Sequence, residues 1–320
     1  MARALALVVL VVLVAARQAA AQTITWVGGG TAGSWVDVNN WSPARLPNAG
    51  DDVAIPGGTP SVFVPNGTHA VRSISAGRQI RVTGGSLTVA EASSLTGFVV
   101  TAGMLRLNGA TTSAATTQIT GGVLTGSGDI TCNFNMSWTG GEIAGTGTLT
   151  LAAGTATFTG PMAASYELVI RRNLVIQTTC NFTLGTLTLR DGADVTLGAG
   201  GTLNFGTDPF IGNIIRAIEA GSMFACHGRI NQTSTANMLT SISVPMQTGA
   251  TARISVTGMS LGLVLAGEQY GDFEVAAGKS IGLSGGPSAI FQAGSSVFGA
   301  GRPSLSDVEF TSGTFLSTGG

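Results

Sequence analysis

Charged side chains are scarce in this sequence. Lys, Arg, Asp and Glu together make up 10% of the 320 residues, the formal net charge is -1, and only two residues are His. Coiled coils, charge-driven disordered chains and basic nucleic-acid-binding modules all contain far more charge. The composition excludes these three classes, so we expect no nucleic acid as a partner.

Aromatic side chains are also few, at 6% of the residues, although the hydrophobic fraction reaches 44%. A core of sufficient size is therefore available, and it must be built mainly from small and branched side chains. Glycine is abundant, with 48 residues, and it does not follow the every-third-residue period of collagen. This pattern is typical of a fold with many tight turns.

Long apolar runs are absent except near the N-terminus, where residues 4–16 form an unbroken apolar stretch after Arg3. As a helix this stretch rises about 20 Å, which is shorter than the roughly 30 Å of a membrane core. Small residues at 19–21 suit a signal peptidase, so residues 1–21 are interpreted as a signal peptide rather than a membrane anchor. We expect a mature chain without a membrane-spanning segment, secreted or at the cell surface.

Only three cysteines are present, at positions 132, 180 and 226, and none belongs to a CxxC motif. The tetrapeptide TCNF occurs at 131–134 and again at 179–182. A metal or redox site would need closely spaced partners, so we interpret the cysteines as small apolar side chains at equivalent positions of a repeating fold. We predict no metal and no cofactor.

Short alternating segments recur between glycines along the whole chain. Each segment is rich in Thr, Val and Leu, and the period of two is typical of strands. Leu87, Leu105 and Val123 follow one another at steps of 18 residues, while later steps vary in length. Such variable spacing favours a solenoid with coils of different lengths. The segments include 87–89, 105–107, 149–151, 187–189, 195–197 and 203–205.

Two all-β architectures fit this pattern: a parallel β-helix and an antiparallel sandwich. A sandwich of this size would contain more aromatics and more Asn-Gly turns than the two at 66–67 and 108–109. The sequence therefore predicts a parallel β-helix, a solenoid that the general crossover preference makes right-handed.

Tryptophan is concentrated at the start of the mature chain, with Trp26, Trp35 and Trp41 among the four in the sequence. We interpret this segment, 22–57, as an N-terminal cap that protects the first coil, and 58–320 as the β-helix repeats. Exposed aromatics of a carbohydrate-binding face are the alternative.

Within the repeats, residues 208–248 contain fewer glycines and less alternation, which indicates a lateral loop or an irregular coil that is suited to recognition.

The opening segment shows a pattern of W-x-G-G-G at 26–30, then S-W at 34–35, N-W at 40–41, and P-x-A-G-D-D-x-x-I at 47–55. This pattern resembles the opening of bacterial exported β-strand-repeat proteins, including autotransporter-like passenger regions. Residues 62–68 and 84–89 are similar to the entry coils of G8-type domains. The resemblance implies a secreted or surface β-helix with a structural or adhesive role, and it carries over no catalytic residue.

Enzymes that use β-helices need converging carboxylates, and the 16 acidic residues of this chain are scattered. Asp51 and Asp52 are adjacent, so in a strand they point to opposite sides, and we place them beside a turn. Asp191 and Asp194 flank Gly192 and receive the same interpretation. His227 precedes a glycine as in some polygalacturonase-like hydrolases, but it lacks a paired aspartate upstream.

Arg171 and Arg172 form the only adjacent basic pair, which we place at an exposed corner of a coil. A lyase would need Arg and Asp clusters, commonly with Ca²⁺, and neither the calcium-binding nonapeptide nor other catalytic motifs are present. Alternate threonines at 146, 148 and 150 also allow an ice-binding array, which requires regular rows over several coils.

These observations favour a secreted or cell-surface β-helical structural or adhesive protein without an assignable catalytic, cofactor or metal site. Surface polysaccharide or other cell-envelope components are the expected partners. The alternative is a polysaccharide lyase or glycoside hydrolase on the same scaffold, which predicts acids and Arg clustered in one lateral groove. Residues 310–320 still follow the repeat pattern, which is typical of a fragment of a longer protein.

Overall fold

The computed structural model describes residues 22–58, 60–160, 167–206, 213–235 and 240–318. The predicted signal peptide, 1–21, lies outside the described residues. In the described part, β-strands account for almost all regular structure, and the single helix is a short 3-10 turn at Val38–Asn40. Within these ranges, no helix combines the length and the apolar character needed to cross a membrane.

The strands are numbered in chain order. The first group is β1 (Gln22–Trp26), β2 (Trp41–Ser42), β3 (Asp51–Ile55), β4 (Val62–Val64), β5 (Thr68–Val71), β6 (Ser73–Ala76), β7 (Ile80–Val82), β8 (Ser86–Val89), β9 (Ser93–Leu95), β10 (Phe98–Val100) and β11 (Met104–Leu107). The second group is β12 (Thr111–Ser113), β13 (Thr117–Thr125), β14 (Ile130–Cys132), β15 (Met136–Ile143), β16 (Leu149–Leu151), β17 (Thr155–Thr159), β18 (Glu167–Ile170), β19 (Leu174–Ile176), β20 (Thr179–Leu189), β21 (Val195–Leu197) and β22 (Thr202–Phe205). The third group is β23 (Asn213–Ala217), β24 (Phe224–Cys226), β25 (Arg229–Gln232), β26 (Ser241–Thr248), β27 (Arg253–Val256), β28 (Ser260–Gln269), β29 (Asp272–Val275), β30 (Ser280–Phe291), β31 (Ser296–Gly299), β32 (Arg302–Phe310) and β33 (Thr314–Ser317).

The chain winds through about 12 turns and builds three parallel ladders. Ladder A contains β3, β6, β9, β12, β14, β16, β19, β21 and β24. Ladder B contains β4, β7, β10, β17, β22, β25, β27, β29, β31 and β33. Ladder C contains β5, β8, β11, β18 and β23.

Longer strands turn a corner and serve two ladders. Strands β13, β15 and β20 run from ladder B into ladder C, and β26, β28, β30 and β32 run from ladder C into ladder A. Among the described strands, every pairing is parallel except that of β1 with β2. The predicted parallel β-helix is confirmed, and the antiparallel sandwich is excluded. The handedness stays a prediction.

Period-two alternation decides which side chains form the core. In β14, Ile130 and Cys132 are buried while Thr131 between them faces outward. Parallel pairing in register then places similar side chains above one another on successive coils. Phe182 and Phe205 pack in this way, with ring centroids 6.2 Å apart. Each fully buried side chain of this size contributes about 2 kcal/mol. The core therefore runs as a continuous column along the solenoid axis.

Glycine forms one corner of the coil between ladders B and C. Gly85, Gly103, Gly122 and Gly141 each adopt a positive φ and lie on successive coils. A Cβ atom on Gly103 would lie 2.1 Å from the carbonyl oxygen of Gly85, so the backbone stacks too closely for any side chain. This corner explains part of the high glycine content.

The 18-residue step found in the sequence is correct for its first pair only. Leu87 and Leu105 are partners in ladder C, but the next partner of Leu105 is Leu124 rather than Val123. This coil has one more residue than the coil before it, inserted between Ser113 and Thr117 where the chain passes from ladder A to ladder B. Val123 therefore points outward while Leu124 is buried. A slip of one residue reverses the side of the strand that a side chain occupies.

The repeated TCNF tetrapeptide does not mark equivalent positions, contrary to expectation. Cys132 lies in ladder A, where it pairs with Leu151, whereas Cys180 lies in ladder B and pairs with Leu203. The phenylalanines differ accordingly: Phe134 is 47% exposed and Phe182 is fully buried. The repeated tetrapeptide thus arises because strands on two different ladders have a similar composition.

The two ends of the solenoid differ. At the N-terminal end, β1 already pairs in parallel with β3, so residues 22–57 contribute to the first coil as well as covering it. At the other end, β32 and β33 lie on the last coil, where Leu305, Phe315 and Leu316 are exposed. Within the segment 208–248, residues 213–235 and 240–248 supply ladder strands, and 208–212 and 236–239 lie outside the described residues.

Candidate functional site

The three N-terminal tryptophans form a packed cluster. Trp41 contacts Trp26 and Trp35 edge to face, with ring centroids 4.9 and 4.8 Å apart, and its Nε1–H donates to the Trp35 carbonyl at 2.8 Å. All three side chains are at most 4% exposed. The cap is confirmed, and the alternative of a carbohydrate-binding face built from these rings is wrong because no ring face reaches solvent.

A buried asparagine fixes the loop of this cap. Asn40 is fully buried, and its Nδ2 donates to the carbonyl oxygens of Thr31 at 2.7 Å and Ser34 at 2.9 Å. Asp37 accepts from the backbone N–H groups of Thr31 and Asn39, which lowers the pKa of its carboxyl group. These polar side chains are engaged in holding the loop, so they are not available for chemistry.

Asp51 and Asp52 point to opposite sides of β3, as expected for neighbours in a strand. Asp51 is buried, and its carboxylate accepts hydrogen bonds from Nη1 and Nη2 of Arg45. This contact holds the pKa of Asp51 below its ordinary value. Asp52 binds Ser73 and Arg72, with Ser73 lowering its pKa most. The two carboxylates therefore serve separate contacts and do not act as a pair.

Arg171 and Arg172 differ sharply in environment. Arg171 lies between Asp191 and Glu142, which raise its pKa in that order. Arg172 is only 2% exposed and donates to the backbone carbonyl of Gly147 at 2.7 Å. The prediction of an exposed corner is wrong for Arg172, because its guanidinium points inward and donates hydrogen bonds to backbone carbonyl groups.

The second pair of aspartates also has structural contacts. Asp191 adopts a φ of 55° in the turn that follows β20, in agreement with the turn interpretation. Asp194 accepts the backbone N–H of Met223 from the next coil at 2.8 Å. In the described ranges, no group of three or more His, Cys, Asp or Glu residues is placed to hold a metal ion.

The cysteines are buried, free thiols. Burial raises the pKa of Cys132 to about 11 and that of Cys226 to about 12, and it also raises the pKa of Cys180. Thiolates are the nucleophilic and metal-binding form of cysteine. The three residues thus act as small core side chains. This agrees with the expectation that they are apolar core residues, although they do not occupy equivalent positions.

Hydroxyl-bearing residues form a single file along the outside of ladder A. Pairing in register places them one per coil, so the file is only one residue wide, and Ala54 and Val175 interrupt it. Thr150 belongs to this file, while Thr146 lies outside the strand. The flat, regular array that ice binding requires does not form. The file comprises Thr25, Ala54, Ser75, Ser94, Thr112, Thr131, Thr150, Val175 and Thr196.

A shallow depression of about 390 Å³ lies further along the outside of ladder A. Its polar lining includes His227, Gln247, Glu268 and Tyr270, which come from three successive coils. The Tyr270 hydroxyl donates to Glu268 Oε2 at 2.8 Å, and this contact raises the Tyr270 pKa. Gln292 Nε2 on the following coil donates to the other Glu268 oxygen at 3.1 Å.

Two glycines open the floor of this depression. A Cβ atom on Gly249 would lie 2.2 Å from His227 Nδ1, and one on Gly267 would lie 2.4 Å from Gln247 Nε2. Each glycine therefore leaves space for a polar side chain of the preceding coil to lie across it. The imidazole and the amide are held at the surface of the ladder as a result.

Sequence reasoning singled out His227 but missed the residues beside it. Gln247, Glu268 and Tyr270 lie about 20 or more residues away along the chain, and only the ladder pairing brings them together. The signal that was available is Gly267, because a glycine inside a strand often marks a bulge. Without the coil lengths, the sequence does not show which residues that bulge faces.

Comparison of the chain with protein-family models, with curated proteins and with solved structures finds no match. The fold itself defines the class, a parallel β-solenoid with a tryptophan-packed first coil. The resemblance to bacterial exported repeat proteins stays a prediction.

Proposed function

We propose that this chain is an exported β-helical protein with a structural or adhesive role at the cell surface, in the manner of the bacterial repeat proteins that its opening segment resembles. Surface polysaccharide or another cell-envelope component is the proposed partner. The apolar stretch at 4–16 and the small residues at 19–21 support export.

The observation that carries the proposal is the way in which acidic side chains are used. Ion pairs join neighbouring coils at Asp52 with Arg72 and at Asp272 with Arg253, and the pair of Glu167 with Arg216 reaches across the coil between them. A glycosidase needs two carboxylates facing one scissile bond, at separations of about 5 to 10 Å. These acids instead support the stacking of coils, which suits a rigid rod better than a hydrolase or lyase.

Rigidity follows from the same contacts. Backbone hydrogen bonds of three ladders run along the axis, and the core column is continuous from the tryptophan cluster to the last coils. In a solenoid, each coil is stabilised by contacts with the coils on either side of it. Such a rod presents repeated outward side chains to a partner.

The test uses residues 22–320, incubated with a panel of insoluble and soluble polysaccharides. Retention of the protein and release of reducing or unsaturated sugar ends are measured together. Retention without release is the expected result. Release of new sugar ends would replace the adhesive role with a lyase or hydrolase, and absence of retention on every polymer would contradict the adhesive role.

A further inference from the structure

The depression beside His227 lies at a local backbone irregularity where the chain passes from ladder C into ladder A, and register shifts recur at this corner on the following coils. Strand β28 pairs with β26 at Met246 with Leu265 and at Thr248 with Gln269. Three residues, 266–268, therefore lie opposite Gln247 alone. Bulges of this kind redirect side chains and are common beside functional sites.

The bulge brings a carboxylate and an aromatic ring to the same side of the depression. Glu268 and Tyr270 are both exposed, with Tyr270 at 37%, and the hydrogen bond between them fixes their relative position. Gln269 between them is fully buried, and its amide donates to the Met246 carbonyl at 3.1 Å. This buried anchor holds the exposed pair in place.

The lining has a definite chemical character. Its acceptors and donors are the Glu268 carboxylate, the Gln247 amide and the His227 imidazole, and no Lys or Arg lines it. An ionised carboxylate offers about four lone-pair sites, and Tyr270 and Gln292 occupy two of them. Remaining sites suit hydroxyl donors, while the negative charge repels uronates and other anionic sugars.

We propose that this depression binds a pyranose unit of a neutral polysaccharide. The apolar face of the sugar ring lies on Tyr270, ring hydroxyls donate to Glu268, and the Gln247 amide and His227 imidazole complete the polar contacts. The volume of about 390 Å³ falls within the range of about 300 to 1,000 Å³ for small-molecule sites. This inference rests on the proposed adhesive function and names the site that performs it.

Variants of the mature chain test the site. Tyr270→Ala removes the ring, and the affinity for a neutral glucan, mannan, galactan or chitin is expected to fall about three- to tenfold. Tyr270→Phe keeps the ring, so it is expected to retain most of the binding. Phe134→Ala is the matched control, because Phe134 is an exposed aromatic residue, 47% accessible, on a different coil.

A second variant changes the floor of the depression without touching the ring. Gly249→Ala places a methyl group where the His227 imidazole lies, so the imidazole must move and binding is expected to weaken. Circular dichroism and the urea midpoint show whether each variant remains folded. Binding is measured by affinity electrophoresis with soluble polymers and by depletion with insoluble ones, with polygalacturonate as the anionic comparison.

The outcomes separate the two proposals. If the wild-type chain is retained, and the Tyr270→Ala and Gly249→Ala variants are retained equally well, the proposed site is wrong while the adhesive function stands. Absence of retention on every polymer would overturn both. Stronger binding to polygalacturonate than to neutral polymers would overturn the assigned sugar chemistry. Selective loss in folded Tyr270→Ala, with Phe134→Ala unaffected, supports the site.

Discussion

Arg172 donates from its Nε–H to the carbonyl oxygen of Gly147 at 2.7 Å, and its guanidinium also reaches the carbonyl of Gly128 on the coil before. One buried side chain thereby joins three consecutive coils of the solenoid. Its burial lowers the pKa of the guanidinium to about 10, because the charged form loses contact with water. The arginine replaces water as the donor for carbonyl groups at a glycine-lined corner.

Replacing Arg172 is expected to destabilise the fold strongly. Arg172→Met keeps the aliphatic stem but leaves the Gly128 and Gly147 carbonyls without donors, at a cost of about 3 kcal/mol in the free energy of unfolding. Urea unfolding followed by circular dichroism measures this change. The control is Arg171→Met, which removes only surface ion pairs and is expected to cost about 1 kcal/mol or less. Equal losses in the two variants would contradict the role of Arg172.

An ion pair near the cap, in which the carboxylate is buried, is expected to make the protein sensitive to acid. Arg45 donates to both carboxylate oxygens of Asp51, at 2.6 and 2.8 Å, and the pKa of Asp51 is lowered below 3.8. A carboxyl group whose pKa is lower in the folded state stabilises the fold above its unfolded pKa, and this contribution disappears as the pH falls through the folded value.

Asp51→Asn is therefore expected to lower the free energy of unfolding by about 2 kcal/mol at neutral pH. It should also flatten the decline in the urea midpoint below about pH 4. The control, Asp307→Asn, changes an exposed residue of the last coil and is expected to alter stability by about 0.5 kcal/mol or less. A variant with the same acid profile as the wild-type chain would show that Asp51 does not carry this dependence.

The strands and the parallel architecture could be predicted from the sequence, because alternation and glycine spacing are local properties. Ile130, Thr131 and Cys132 illustrate this, since their order of apolar, polar and apolar alone places Thr131 outside. The partners of each strand could not be predicted. They depend on coil length, which changes wherever a corner gains a residue, as between Ser113 and Thr117.

Long-range contacts also explain the errors at the candidate site. Arg172 looked like an exposed residue because Arg is rarely buried, and its carbonyl partners at Gly128 and Gly147 belong to earlier coils. Glu268 and His227 are separated along the chain, and the register of β26 with β28 brings them to one depression. Period-two patterns contain no information about such pairings.

The thiols are expected to be unreactive in the folded protein. Cys132, Cys180 and Cys226 are each at most 1% exposed, and burial raises the pKa of every one. Because the thiolate is the reactive form, an aromatic disulfide reagent at mildly alkaline pH should label the native chain very slowly. In concentrated guanidinium chloride all three thiols should react. Rapid labelling of the native chain would show that the core opens readily around these residues.

Three asparagines stack on the outside of ladder B and connect successive coils. Asn204 Nδ2 donates to Asn181 Oδ1 at 2.8 Å, and Asn231 Nδ2 donates to Asn204 Oδ1 at 2.9 Å. Parallel pairing in register places identical side chains one above the other, so each amide can act as donor and acceptor at once. The central residue makes both bonds, and the residue at either end makes one.

Asn204→Ala is expected to lower the free energy of unfolding by about 2 kcal/mol, and Asn231→Ala by about 1 kcal/mol, because the first removes two hydrogen bonds and the second removes one. Ser255→Ala, the next outward position along the same ladder, is the control with an expected change of about 0.5 kcal/mol or less. The double variant Asn204→Ala with Asn231→Ala should cost less than the sum of the two single changes, because they share one bond. Strict additivity in urea unfolding would show that the stacked amides do not interact, and the ladder would then owe its stability to backbone pairing and core packing alone.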